Sequence, residues 1–188
     1  MIELVRRRMM MMRAKPYDAE VEYIRMTSAY GVYKQFSPIQ GYIDLKISIQ
    51  NMGSSQYYGE VLTVGGWNSG AMRICRYTIY RDRNKTSVLE DNTSNTVTVG
   101  TANGSIITRT NIRYDSSQAP ANHYGEFTIK GFKDDIFTIY YAKFRDWFGN
   151  TIHDYIPVRV GNVGRLYDRV QGVILPSTNM TIVPGPDK

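Results

Sequence analysis

The residues most able to do chemistry in this chain are aromatic side chains paired with amides in loops. Trp67 and Asn68 sit within the run Gly65-Gly66-Trp67-Asn68-Ser69-Gly70, with Tyr57 just upstream. Trp147 sits within Asp146-Trp147-Phe148-Gly149-Asn150. An indole or phenol ring offers an apolar face to the C–H face of a sugar, while a neighbouring amide both donates to and accepts from its hydroxyls. Tyr57, Trp67, Asn68 and Trp147 are therefore the candidate glycan contacts. The competing explanation for each ring is that it fills or rims a β-sandwich core.

Catalytic groupings are scarce. Glycoside hydrolysis needs paired carboxylic acids. Glu20 and Glu22 share the face of one expected strand and read as a solvated pair, Glu60 and Glu126 stand alone amid apolar residues, and Asp134-Asp135 lies in a turn. Cys75 is the single cysteine, and the two histidines, His123 and His153, fall in no metal-ligand spacing. Asp82, Asp91, Asp115 and Asp134 occupy expected loops without forming a calcium-ligand sequence. The glycine-rich run around Trp67 lacks the Gly-Lys-Ser/Thr of a phosphate loop. The expectation is a non-enzymatic protein with no catalytic residue, cofactor or metal assigned.

A different chemistry opens the chain. MIELVRRRMMMMRAK carries Arg6, Arg7, Arg8, Arg13 and Lys15 against Glu3, so most of the formal net charge of +6 sits in the first fifteen residues. The remainder is nearly neutral, which argues against a nucleic-acid binder. Met9, Met10, Met11 and Met12 are too short an apolar core for a secretory signal. Good helix formers make a short helix feasible here, marginal unless a partner surface holds it. A solvated tail and a basic arm on an acidic surface are two readings. The third is an anchor, Arg6–Arg8 and Arg13 pairing with carboxylates while Met9–Met12 adapt to an apolar groove. The amount of methionine favours the anchor. Pro16 stops any helix, placing a boundary between an arm, residues 1–16, and a domain, residues 17–188.

The elements that must position these groups are strands. With 188 residues, 15 tyrosines, 16 glycines and 42% hydrophobic residues, the chain suits one β-rich domain plus a tail. No stretch approaches twenty apolar residues, so no membrane-spanning helix is expected. Ala19 to Met26 reads as the first strand. Tyr42 to Gln50 is the cleanest alternation, with Ile43, Leu45, Ile47 and Ile49 on one face. Tyr57 to Val64, Arg73 to Arg81, two short strands about Asn103-Gly104, Thr108 to Tyr114 and Tyr124 to Lys130 follow. Phe137, Ile139 and Tyr141 then alternate with Thr138, Tyr140 and Ala142. The turn Asp146–Asn150 leads into a return strand, Ile152 to Val160, in which Pro157 predicts an edge position or a bulge. About a dozen short antiparallel strands predict an all-β, two-sheet sandwich.

The last fifty residues carry a resemblance. Asp154-Tyr155-Ile156-Pro157-Val158-Arg159, Gly161-Asn162-Val163-Gly164 and Leu166-Tyr167-Asp168-Arg169-Val170-Gln171-Gly172, with Gly185-Pro186-Asp187 near the end, resemble the closing signature of laminin-G-like, concanavalin-A-like jelly rolls. That family is common in phages of gut bacteria and in the bacteria themselves. It reads RDFIPVRxGNVG, YMYDKVSG and GPD in these slots. Glu20-Val21-Glu22-Tyr23-Ile24 also fits the family's AEVEYI opening, whereas Thr27 to Lys34 departs from the GTQYIDTG that should follow. Asp154, Arg159, Asp168 and Arg169 fall inside the signature and are expected to pin the return strand to the last hairpin by ion pairing.

The resemblance implies a jelly-roll sandwich and a virion structural protein, whether capsid decoration, head fibre or tail-associated. It would be assembled in the host cytoplasm, anchored to other virion proteins by its arm, and arranged as a symmetric oligomer, with a trimer expected. A host surface glycan is the expected ligand; membrane and nucleic acid are not expected partners. A bacterial carbohydrate-binding module is the alternative.

Overall fold

The structure, a computed structural model, describes residues 15–27, 30–34, 40–51, 60–64, 72–75, 79–81, 87–88, 106–115, 126–130, 135–176 and 182–188. The described residues are all-β, with every strand pair antiparallel and no helix. In chain order the strands are β1 (Ala19–Glu20), β2 (Ile24–Thr27), β3 (Tyr30–Lys34), β4 (Gln40–Asn51), β5 (Glu60–Val64), β6 (Met72–Cys75), β7 (Ile79–Arg81), β8 (Ser87–Val88), β9 (Ile106–Asp115), β10 (Glu126–Lys130), β11 (Asp135–Arg145), β12 (Thr151–Val160), β13 (Val163–Asp168), β14 (Val173–Ile174) and β15 (Ile182–Pro184). One sheet runs β3-β10-β5-β6-β7-β8. The other runs β14-β13-β12-β11-β2-β15, with β1 added to β12, β4 to β11, and β9 to β4.

Strand β11 organises the second sheet. One of its edges pairs with β4 along its length, from Asp135 opposite Asn51 to Arg145 opposite Tyr42. The other edge is shared, β2 taking Ile136 to Ile139 and β12 taking Ala142 to Arg145. The expected simple alternation through β11 fails at Tyr140. Ile139 opposes Ile47 but Tyr141 opposes Lys46, so Tyr140 is the extra residue of a β-bulge. The bulge reverses the phase: Phe137 and Ile139 point to the core before it, Ala142 and Phe144 after it, and both Tyr140 and Tyr141 stay half-buried. On β4 the alternation holds from Tyr42 to Ile47, with Ile43, Leu45 and Ile47 buried between half-buried Tyr42, Asp44 and Lys46, and gives way at Ser48, which is buried too. The core gathers these side chains with Ile24, Met26, Tyr155 and Leu166. Each buried Phe or Ile contributes about 1.5–3 kcal/mol through the water it sheds.

Three further expectations change. Ala19 to Met26 is not one strand: β1 pairs with β12, β2 pairs with β11 and β15, and the residues between pair with the C-terminal segment. There Val21 bridges Asp187 and Glu22 N–H donates to Pro186 O. Two halves with different partners cannot share one straight ladder. Arg73 to Arg81 is likewise two strands, β6 and β7, paired to one another with Ile74 opposite Ile79. Pro157 lies neither at an edge nor in a bulge, since β12 is flanked by β13 on one edge and by β11 and β1 on the other. Val21 N–H donates to Pro157 O. A residue's N and O face the same neighbour in an antiparallel ladder, so the missing N–H of Pro157 falls at the seam where β11 gives way to β1.

Close approach fixes one glycine. A Cβ on Gly164 of β13 would stand 2.7 Å from Ile24 Cγ2, 2.8 Å from Ile182 Cγ2 and 3.2 Å from Pro184 N. Strands β2 and β15 therefore press on β13 without pairing to it.

Candidate ligand-contact surface

The hairpin between β11 and β12 is built by Asp146. Its Oδ1 accepts the N–H groups of Phe148 at 2.9 Å and Asn150 at 2.8 Å, and its Oδ2 accepts Asn150 Nδ2 at 2.8 Å. These bonds, with the Asn150 carboxamide contributing most, hold the Asp146 carboxyl below the usual carboxylate range. Gly149 takes φ +88°, a left-handed value that disfavours side chains with a Cβ. The carboxylate thus does the work of several backbone acceptors and leaves the two apex aromatics outside the turn. Phe148 is 91% exposed and Trp147 37%.

Trp147 meets the ring of Tyr42 edge to face, centroids 5.3 Å apart and planes at 88°. The Arg145 guanidinium lies 5.8 Å from the centre of the same ring. Arg145 Nη2 donates to Asp44 Oδ1 at 2.8 Å and to Asn111 Oδ1 at 2.6 Å, and Asn111 N–H donates to Asp44 Oδ1 at 2.8 Å. Asn111 has φ +58°, in a bulge of β9 where Ile112 opposes Ile43 but Arg109 opposes Leu45. Asparagine tolerates that conformation because its short side chain bonds locally. The result is a ledge of Tyr42 and Trp147 beside the polar cluster Asp44, Asn111 and Arg145, with exposed Phe148 next along the turn. Ring faces, an exposed carboxamide and a charge-balanced guanidinium can together accept the mixed apolar and hydroxyl surface of a sugar.

Of the candidate glycan contacts, the structure places Trp147 on this ledge; Tyr57, Trp67 and Asn68 lie outside the described residues, as do Arg6, Arg7, Arg8, Met9–Met12 and Arg13. Sequence reading missed Tyr42, Phe148, Arg145 and Asn111. Phe148 was signalled by an aromatic inside a turn sequence; the other three are brought in by strand pairing alone.

The acidic groups fall elsewhere. Among the described residues no three His, Cys, Asp or Glu side chains gather as they would around a metal ion. Glu20 and Glu22 do not share a strand, because the ladder breaks at Glu22. Glu20 instead accepts from Lys15 Nζ at 3.2 Å and Tyr17 OH at 3.0 Å, and these two bonds hold its carboxyl below the usual range. Asp154 pairs with Arg169 at 2.7 Å, as expected for a pin between β12 and the last turn. Arg159 pairs with Asp187 at 2.9 Å, tying β12 to the C-terminal segment rather than to the hairpin. Asp168 faces a histidine: its Oδ2 lies 2.6 Å from His153 Nδ1, both residues buried. Asp168 Oδ1 accepts the N–H groups of Asp154 at 3.1 Å and Val170 at 2.9 Å. Burial alone would push the Asp168 carboxyl up, but the hydrogen bonds from His153 and the two amides outweigh it and hold it below the usual range. An ionised carboxylate only accepts, so His153 Nδ1 carries the proton. The ring of Tyr155 stacks on that of His153, centroids 5.4 Å apart. This pair is enclosed in the core.

Comparison with models of protein families, with curated proteins and with solved structures found no match to this chain.

Proposed function

We propose that this chain is a non-enzymatic adhesion protein of a phage particle. In this reading it is a laminin-G-like jelly-roll sandwich, held to other virion proteins by residues 1–16 and presenting a sugar-contact ledge at Tyr42 and Trp147, with Phe148 next along the turn. The observation that carries the reading is polarity along β12. The aromatic hairpin precedes Thr151, while Asp18 joins the sheet at the other end, its N–H on Arg159 O and its Oδ2 accepting Gly161 N–H. Ten residues of strand separate the two, a span of ~30 Å at the usual rise. An anchor at one end and exposed rings at the other is the layout that display needs. The resemblance of the closing strands to phage jelly rolls, and the methionine- and arginine-rich arm, point the same way.

A glycan array read with the full chain and with Trp147→Ala/Phe148→Ala is the test. The expected result is binding to one or a few glycans, weakened about tenfold or more in the variant through loss of ring contact. A variant that binds as the parent does removes the ledge from the reading. Removing residues 1–15 should abolish association with purified particles and leave glycan binding intact; glycan binding by a chain never found on particles would favour a bacterial carbohydrate-binding module.

A further inference from the structure

The β4-β11-β2 portion carries a second grouping, on the side turned away from Ile43, Leu45 and Ile47 and bordering Asp44. Lys46 of β4 holds its ammonium 5.1 Å from the centre of the Tyr140 ring, which the bulge of β11 delivers to this face. Tyr140 meets Tyr23 edge to face, centroids 5.5 Å apart, and the guanidinium of Arg25 lies 5.3 Å from the centre of the Tyr23 ring. The order cation, ring, ring, cation runs across three neighbouring strands, a width of about 10 Å. Lys143 stands beside it on β11, opposite Asp44 and Asp154.

Charge decides what this row can take. Asp44 and Asp154 are already engaged by Arg145 and Arg169. Lys46, Lys143 and Arg25 have no ion-pair partner among the described residues. Glu22, exposed and close enough to Tyr140 for their charges to interact, is the acidic neighbour, and three cations outnumber it. A cation over a ring keeps its charge available to an anion approaching from solvent. The rings are not open platforms for nucleobases, because each has a cation over it and the two meet at 63°.

We propose that Arg25, Lys46 and Lys143, set among Tyr23 and Tyr140, form a binding surface for an acidic polysaccharide whose carboxylates meet the three cations. The surface adjoins the polar cluster beside the Trp147 ledge but shares no residue with it, and its test does not depend on the ledge.

The test uses the full chain with three probes, polygalacturonate, neutral dextran and oligothymidylate, titrated at about 50 mM and about 500 mM salt. The expected result is polygalacturonate binding at low salt, no dextran binding, and affinity falling about tenfold or more at high salt as the charges are screened. Lys46→Gln/Lys143→Gln should cost about tenfold, and Glu22→Gln should strengthen binding about twofold by removing the local repulsion. Trp147→Ala should change nothing. Melting temperatures equal to that of the parent would show these variants folded. The proposal is overturned if polygalacturonate does not bind, or if binding ignores the lysine pair. It is equally overturned if oligothymidylate binds more tightly and is lost in the same variant, which would make the row a nucleic-acid surface.

Discussion

Asp168 shows how one buried charge locks the closing hairpin. Its carboxylate serves His153 and the amides of Asp154 and Val170 at once. Asp168→Ala removes the acceptor from the buried His153 ring and from two part-buried amides, and should cost roughly 2–3 kcal/mol in urea unfolding. The pH dependence has a definite sign. The native carboxyl titrates below the ordinary Asp value of 3.8. Its contribution is complete above that value and is lost as pH falls through the native one, because the unfolded chain then binds the proton first. The Asp168 contribution to the unfolding midpoint should therefore stay whole down to about pH 5 and fall away below about 4, and Asp168→Asn should flatten that drop. Gly164 is decided by space rather than charge. The blocking atoms are branch methyls fixed close to the backbone and the backbone nitrogen of Pro184. Gly164→Ala should lower stability by about 1–3 kcal/mol, the usual cost of overpacking, readable as a shift in urea midpoint. The sequence displayed both Asp168 and Gly164 within one signature, but the partner of Asp168 could not be read there. Nearby arginines were the obvious candidates, and His153 becomes its partner only when β12 and β13 lie side by side.

Bulges do most of the shaping among the elements. Tyr140 in β11 and the Asn111 kink in β9 each add a residue that strict alternation does not anticipate, and each turns a polar or aromatic side chain outward. Asn111→Gly should cost no more than about 1 kcal/mol, since glycine adopts φ +58° freely and loses only the exposed bond from Arg145, whereas Asn111→Val should cost about 1–2 kcal/mol more because a β-branched residue resists the left-handed region. Thermal melts of the two variants check the contrast. Element type was legible wherever alternation was long, as in β4, or where a turn sequence was plain, as at Asp146–Asn150. It was not legible where one run serves two partners. Arg76-Tyr77-Thr78, between β6 and β7, contains no Gly, Pro, Asn or Asp to mark the change of direction. The break at Glu22-Tyr23 is equally silent, because it is imposed by the C-terminal segment bonding to the chain there.

For the whole molecule, the described termini meet on β12. β1 pairs with Val158 and Arg159, Asp187 pairs with Arg159, and Lys188 N–H donates to Glu20 O. The N- and C-terminal segments therefore brace one another, and load applied to the arm would enter the sheet through β1. Asp187→Ala removes an exposed ion pair and should leave the melting temperature almost unchanged. Removing residues 182–188 takes away β15 with buried Ile182 and the backbone bonds to Glu20, Glu22 and Tyr23, and should destabilise the domain severely. Circular dichroism melts of the two forms separate a surface pair from a structural strand.

By itself the sequence determined the all-β class, the inward face of β4 and the Asp146–Asn150 turn. Each of these follows from local rules: side-chain alternation, β-branched and aromatic content, and the φ that glycine and asparagine allow. Only the tertiary structure decided that Tyr42, Arg145 and Asn111 join Trp147, that Lys46 and Arg25 flank a pair of tyrosines, and that Asp168 pairs with His153. Those contacts are set by register between strands far apart in the chain, and a single bulge reverses which side chains face one another.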